Sequence, residues 1–399
     1  MASAIKPPKR ILPAFLLAVL VASCNNYEIT QKQADSFIKF FGSYQQDDGV
    51  DVRVDDDGGY VIAGTWTDPD SARQICLIKT DELGNEVDWS PKLYGFRFDD
   101  VARDLQVLDD GYLIVGTTYD ADDSLDILLI RTDRQGNLKS GFPRVIDFGG
   151  NDEVTAVDAS LDSVYTFAGY TDALGNKDFL IFQTDPDGTQ IGASNINSLN
   201  ANDELTDITR YSDGFVVVGN TNSYPPGNYV NFISVTNLFG KPVSGNTTFG
   251  NNNRNELDQH VGLIDNSEVI VSSTSTNLAG TSSQISLTRV SIDLTQVVTI
   301  GVTSPETGNF TGQSVSVTGD GNYILVGTVT QNDANIYALG LGTDGSQMFY
   351  TTFGRTGEQS AGRFRITPDG GLVIVGSNGF ESNSMVTLIK TGPEGSMDN

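Results

Sequence analysis

One short hairpin recurs along the whole chain. "DDDGGYVIAGTWT" at 55–67 returns as "LDDGYLIVGTTYD" at 108–120 and as "SDGFVVVGNT" at 212–221. The unit is a tight acidic turn, an aromatic residue, three apolar residues and a closing glycine. That glycine falls at Gly64, Gly116, Gly169, Gly219, Gly327 and Gly376, with Ser272 in its place in a weaker copy. The successive spacings are 52, 53, 50, 53, 55 and 49 residues, and so steady a period marks a repeat architecture. No stretch sustains a helical period, so the repeats are all-β.

Each copy reads as four strands. In residues 94–148 these are "VARDLQVL", then "YLIVGTT" after a "DDG" turn, then "DILLIRTD", and after "DRQGN" a last strand "LKSGFPRVIDF". The second strand is almost wholly apolar, as a strand covered on both faces must be. Seven such units predict a seven-bladed β-propeller of four-stranded antiparallel blades. A solenoid is the other arrangement to weigh, and it needs polar caps that neither end supplies. The termini favour a ring. The last copy, "MVTLIKTGPEGSMDN", lacks its fourth strand, whereas "SFIKFFGS" at 36–43 is a fourth strand without a blade. The N-terminal strand is therefore expected to complete the last blade and leave no open edge.

Composition narrows the surface and the redox setting. Formal net charge is −27, with 51 acidic against 24 basic residues. A surface that negative disfavours nucleic acid and anionic lipid, and suits cations, basic partners or neutral glycans. The two cysteines, Cys24 and Cys76, make no disulfide framework, and Cys76 in "QICLIKTD" reads as a plain buried thiol.

Cys24 stands at the end of a leader. "KPPKR" is a basic segment, "ILPAFLLAVLV" is apolar but too short to span a bilayer as a helix, and small residues follow. "VASC" resembles the lipobox of bacterial lipoproteins. That resemblance implies a signal peptide over 1–23, acylation of Cys24, a short membrane tether over 24–35 and a propeller over 36–395. Asn25 rather than Asp at the next position implies the outer membrane of a Gram-negative bacterium. The pattern "FGG..DE…DGGY..iaG.T……liKTD..GN" is similar to propeller-repeat lipoproteins of such bacteria and covers residues 36–395. It implies fold and address, and little about activity. The fifth copy, "NSEVIVSSTS", departs from it with Ser267 and Glu268, so the regularity of that blade is open.

The acidic turns invite a calcium reading, yet Asp and Gly also supply the geometry of tight turns, and no EF-hand spacing occurs. A second acidic series stands sixteen residues before the closing position, fifteen in one copy: Asp48, Asp100, Glu153, Glu204 and Glu256. Four follow another acid, at Asp47, Asp99, Asp152 and Asp203. These carboxylates either accept backbone N–H groups and fix the loops between blades, or ring the channel mouth and bind a cation such as calcium. Thr311 and Ser360 interrupt any such ring.

Catalytic motifs are missing. His260 is the single histidine and reads as an ordinary half-buried side chain; there is no phosphate loop and no G-x-S-x-G elbow. The loops joining second to third strands vary most, and variable loops on a rigid scaffold are where binding resides. The expected binding face therefore carries Trp66, Tyr119, Tyr170, Tyr224 and Tyr229 beside the acidic series. The sequence predicts a lipid-anchored binding or scaffold module for a protein or glycan partner, without cofactor and not an enzyme. The alternatives are a glycan-active hydrolase or lyase using a carboxylate pair, and an outer-membrane assembly factor.

Overall fold

The computed structural model describes residues 36–43, 45–67, 72–96, 98–119, 124–197, 201–223, 227–301, 306–354 and 357–397. The segments expected to be leader and tether, Cys24 among them, lie outside these residues, as does Tyr224. Asp35–Asn399 forms one compact unit. Among the described residues the strands form seven four-stranded antiparallel sheets, each built from consecutive strands except the last. The exception closes the ring. Phe37–Phe41 pairs with the strand Asn383–Thr391, in the register Phe37 to Lys390 through Phe41 to Val386. Blade 7 is thus completed by the N-terminal strand, and the fold is the seven-bladed β-propeller expected from the repeats.

The apolar second strand explains why blades must stack. In blade 1, Val61 and Ala63 pack toward blade 2, while Tyr60 and Ile62 pack toward blade 7. Alternate side chains leave opposite faces of a strand, so a strand buried on both faces needs a neighbour on each side. Seven apolar clusters result, one at each junction. Each fully buried aliphatic residue contributes roughly 1.5–3 kcal/mol. Cys76 sits in the cluster between blades 7 and 1, and burial pushes its thiol pKa far up, which makes it inert.

The closing glycine has a steric cause. Every inner strand carries a bulge opposite it, as between Gly49 and Asp51 or Val154 and Ala156. The bulge presses the inner strand's carbonyl onto the second strand, and a Cβ on Gly169 would lie 1.9 Å from the Glu153 oxygen. The equivalent oxygens of Glu204 and Asp48 would meet a Cβ at 1.9 Å on Gly219 and 2.4 Å on Gly64. Only glycine fits.

Blade 5 is a regular four-stranded sheet despite its weak sequence. Its residue at the glycine register is Ser273, one beyond Ser272, and the opposing inner-strand residue, Asp258, takes a left-handed conformation at φ 51°. The outer strands of blades 1, 2 and 3 each pair over only three residues, in blade 2 well short of the expected "LKSGFPRVIDF". In blade 2 the strand narrows to Arg144–Ile146, with Leu138 and Lys139 reaching the third strand separately, because a turn from Lys139 to Phe142 interrupts the segment and Pro143 has no N–H to give. The acidic turns hold their own backbone: Asp81 Oδ1 accepts the N–H groups of Leu83 and Asn85, and Asp133 repeats the arrangement with Gln135 and Asn137.

Deleting residues 25–43 should expose unpaired edges on both sides of the gap and bury no substitute for Phe41. The expected outcome is aggregation or a large fall in melting temperature, with deletion of 25–34 nearly neutral. Equal melting of both truncations with the full chain would show that closure contributes nothing.

Candidate functional site

The central channel is built from one register of the inner strands. Asp51 Oδ2 accepts the Leu105 N–H, Asp104 the Val157 N–H and Asp207 the Val261 N–H, each carboxylate tying its blade to the next. These bonds align Asp51, Asp104, Ala156, Asp207 and His260 around the axis, with Ser314 and Arg363 completing the ring.

Arg363 of blade 7 crosses the channel. It reaches Asp207 of blade 4 at 3.2 Å and stands 4.0 Å from Asp104. Arg365 binds Asp51 at 2.9 Å, and Arg53 meets both Asp51 and Asp104 at 3.1 and 3.2 Å. The charges form a plug across the axis. Burial raises the Asp104 pKa, and the neighbouring Asp51 charge adds to it; Asp51 itself is driven down because Arg365 and Arg53 outweigh its burial. At Asp207, burial opposes ionisation, yet Arg363 and His260 hold the pKa at about 2.

Above the plug, on the face shared by the outer-to-inner and second-to-third loops, opens a polar cavity of about 480 Å³. Asp48, Arg103, Glu153, Asp258, His260 and Arg363 line it. Below the plug a second cavity of about 310 Å³ is lined by Arg53, Gln106, Asp158 and Arg365, and again by Arg363. Arg363 therefore forms part of the partition.

Within the upper cavity the carboxylates differ. Glu153 accepts the Tyr170 hydroxyl at 2.9 Å and ion-pairs with Arg103 at 2.8 Å. Asp258 is exposed to the solvent of the channel, and the surrounding walls crowd it from the sides. Burial there pushes its pKa up and Glu204 adds to the rise, against the pull of His260 and the Thr274 hydroxyl. The His260 Nδ1 stands 3.6 Å from Asp207 Oδ2, too far for a hydrogen bond.

The structure separates the sequence-derived acidic series into two registers. Asp48, Glu153 and Glu204 hold equivalent positions. Asp48 and Glu153 line the cavity, while Glu204 pairs with Lys177 at 2.5 Å. Asp100 and Glu256 belong to the register before them, with Asp47, Asp152 and Asp203, and are buried. There Asp47, Asp100, Asp152 and Glu256 accept N–H groups of the preceding loop at Ser43, Phe96, Phe148 and Asn251. Counting back from the closing position mixed the registers because the hairpins of blades 2 and 4 are one residue shorter, and because Ser273 rather than Ser272 holds the glycine register in blade 5. Val101, not Asp100, occupies the cavity register in blade 2. The acids therefore form no continuous ring. Among the described residues the one group of three acids close enough to share an ion is Asp126, Asp147 and Asp152, away from the channel mouth.

The aromatic set is likewise divided. Tyr170 orients Glu153 and lies under the Lys177 ammonium, 4.0 Å from its ring centre. Trp66 is half-buried against the cluster of blades 7 and 1. Tyr119 and Tyr229 are half-exposed and held by backbone bonds to Asp99 and Glu256. Arg103, Asp258 and Arg363 were not singled out from the sequence. The signal for Asp258 was the lost glycine of the fifth repeat, which marks the blade whose bulge differs.

No family model matches the chain, and no curated protein is similar to it in sequence. Solved structures are similar in fold. An α-L-arabinanase of Penicillium chrysogenum, complexed with arabinobiose, shares 12% identity at a TM-score of 0.52, over 90% of this chain and 97% of its own. An α-L-arabinofuranosidase of Fusarium graminearum shares 12% identity at 0.51 over 90% and 97%. The β-propeller domain of the Trilobed protease from Pyrococcus furiosus, described as having an open velcro topology, shares 11% at 0.50 over 91% and 97%. At such identities the likeness shows the fold. Two of these rings belong to enzymes named for cleaving sugars, which corrects the expectation that the chain is not an enzyme: the absent motifs on which it rested are no ground for that conclusion in this fold.

Removing one partner of the plug should be costly. Asp207→Asn is expected to lose about 2–4 kcal/mol at neutral pH, because Arg363 is left buried with less countercharge. Asp207 has a depressed pKa, so its contribution is present above pH 4 and fades as pH falls toward 2. Chemical denaturation of both proteins across that range should show the difference shrinking. A difference that stays constant would place the effect outside the carboxylate's charge.

Proposed function

We propose that the chain is a glycan-active hydrolase working in the upper cavity, with Asp258 as proton donor and Glu153 as its partner carboxylate. The observation that carries the reading is the pairing of two unlike carboxyls in one polar cavity at the channel mouth. Asp258 is exposed to the solvent of the channel, held on a left-handed backbone, and has its pKa raised. Glu153 is held as an ion pair by Arg103 and fixed by Tyr170. Glycosidic cleavage needs this division: one carboxylic acid protonates the leaving oxygen, and one carboxylate attacks the anomeric carbon or activates a water. The fold neighbours named for arabinan and arabinofuranoside cleavage support the choice of glycans over other acid–base substrates.

We further propose that Cys24 carries lipid and tethers the propeller at the outer membrane. The succession of basic, apolar and small residues ending in "VASC" supports this, and a tether of about 12 residues would span roughly 20 Å. Among the described residues no helix is long and apolar enough to cross a membrane.

Purified protein should release reducing ends from a panel of neutral polysaccharides that includes arabinan. Asp258→Asn and Glu153→Gln should each lower kcat by roughly 10²–10⁴-fold with little change in melting temperature. Glu204→Gln should move the alkaline limb of the pH–rate profile to lower pH, because Glu204 helps to raise the pKa of Asp258. Absence of cleavage across the panel, or full activity in both carboxyl variants, would refute the assignment. For the anchor, Cys24→Ala should abolish fatty-acid labelling and release the protein from membranes; continued membrane association of the variant would refute it.

A further inference from the structure

The junction between blades 4 and 5 is polar where its neighbours are apolar. The third-strand residue opposite the closing position is Cys76, Leu128, Leu180, Phe232 and Tyr337 in blades 1 to 4 and 6. Those side chains pack against the preceding blade. Blade 5 has Ser286 there and Thr288 two residues on, and no other blade carries hydroxyls at both registers. Blade 4 answers with Asn231, at a register that holds isoleucine, valine or phenylalanine in the other six blades.

A cavity of about 280 Å³ lies where the larger side chains are missing, under the loop at Gly250 and Asn251. Glu256, Ser275, Gln284, Ser286 and Thr288 line it, with Ile300 at one side. Gln284 is exposed, so the cavity opens to solvent. It shares no lining residue with either cavity of the channel.

The buried amide beside this cavity is incompletely served. Asn231 is fully buried and its Oδ1 accepts the Gln259 amide at 2.9 Å, yet its Nδ2 has no hydrogen-bond partner. A buried donor in that state costs free energy unless something polar meets it. The nitrogen stands beside Gly250, where a Cβ would lie 3.5 Å from it and 2.7 Å from Glu256 Cγ. Glycine leaves room between amide and carboxylate. No other junction has this feature, because the Asn231 register is apolar elsewhere.

We propose that this cavity binds a neutral sugar residue, at a site separate from the upper cavity. No basic side chain stands among its described lining residues, so an anion finds no countercharge. Glu256, its one charged group, accepts the Asn251 N–H and the Ser273 and Ser275 hydroxyls at 3.3, 2.8 and 2.9 Å. A single carboxylate so served makes no cage for a metal ion. Hydroxyls and amides that both give and take hydrogen bonds match a polyol, whose own hydroxyls do the same. The volume stands at the small end of ligand pockets and suits one sugar rather than a chain. The inference does not depend on cleavage in the upper cavity.

The test uses the purified full chain and free monosaccharides, which offer no bond to cleave: arabinose, xylose, galactose and glucose. Ligand-observed NMR titration should show saturable binding of at least one, with a roughly millimolar Kd. Ser286→Leu restores the residue that blades 2 and 3 carry, so the melting temperature should hold or rise while binding weakens roughly tenfold or more. Gln284→Ala changes an exposed position and should weaken binding with the core untouched, which keeps the test open should the leucine variant fold poorly. No saturable binding to the wild type overturns the proposal. So does binding that survives both changes and is lost in Asp258→Asn, since the sugar then sits in the upper cavity.

Discussion

Everything in this molecule depends on the pairing of Phe37–Phe41 with Asn383–Thr391. Each second strand is apolar on both faces, so no blade is stable without neighbours on both sides. A linear stack would leave two such faces open. The ring removes both ends at once, but only if blade 7 is whole, and that blade is assembled from opposite ends of the chain. The channel, its bulges and the charges within it exist because those five residues find their register.

The ring was legible in the sequence because it rests on recurrence. A glycine every 50 residues records a steric demand that six of the seven bulges make, namely a carbonyl pressed against the second strand where a Cβ cannot fit. The spare strand at one end and the missing strand at the other recorded closure. The candidate site was not legible, for the converse reason. The register that holds Asp258 in blade 5 holds Gly49, Ala102, Val154, Leu205, Gly312 and Ala361 elsewhere. A reading tuned to what the copies share passes over the copy that differs. The acidic series failed similarly. Counting residues back to a glycine assumes equal hairpins, and one residue of difference exchanges a cavity-facing position for a buried one, as at Asp100 and Val101.

The distribution of charge inside the ring runs against that of the whole chain. A protein with twice as many acids as bases places Arg53, Arg103, Arg363 and Arg365 in its channel. The inner-strand carboxylates account for this. Asp51, Asp104 and Asp207 bond the next blade's backbone, and that work concentrates negative charge on the axis. Arginine answers it with several directed donors on one delocalised cation, so a single side chain can satisfy carboxylates from different blades. Crowding has a cost, seen where burial and the neighbouring Arg53 lower the Arg365 pKa to about 10. The plug that results makes each half of the channel a dead end.

That plug also sets apart the two carboxyls of the junction between blades 4 and 5. Asp207 and Asp258 lie on neighbouring inner strands and both feel His260, yet their pKa values move in opposite directions. Arg363 reaches Asp207 and binds it, which overcomes the penalty of burial. Asp258 stands above the partition without a guanidinium partner among its perturbing neighbours, so burial and the Glu204 charge prevail. A raised carboxyl pKa needs a position of this kind, crowded by the channel walls and without a directed cation. The left-handed backbone of Asp258 places it there, and the same residue stands opposite the position where the repeat lost its glycine. In blade 5 the departure from the repeat and the candidate acid are one structural event.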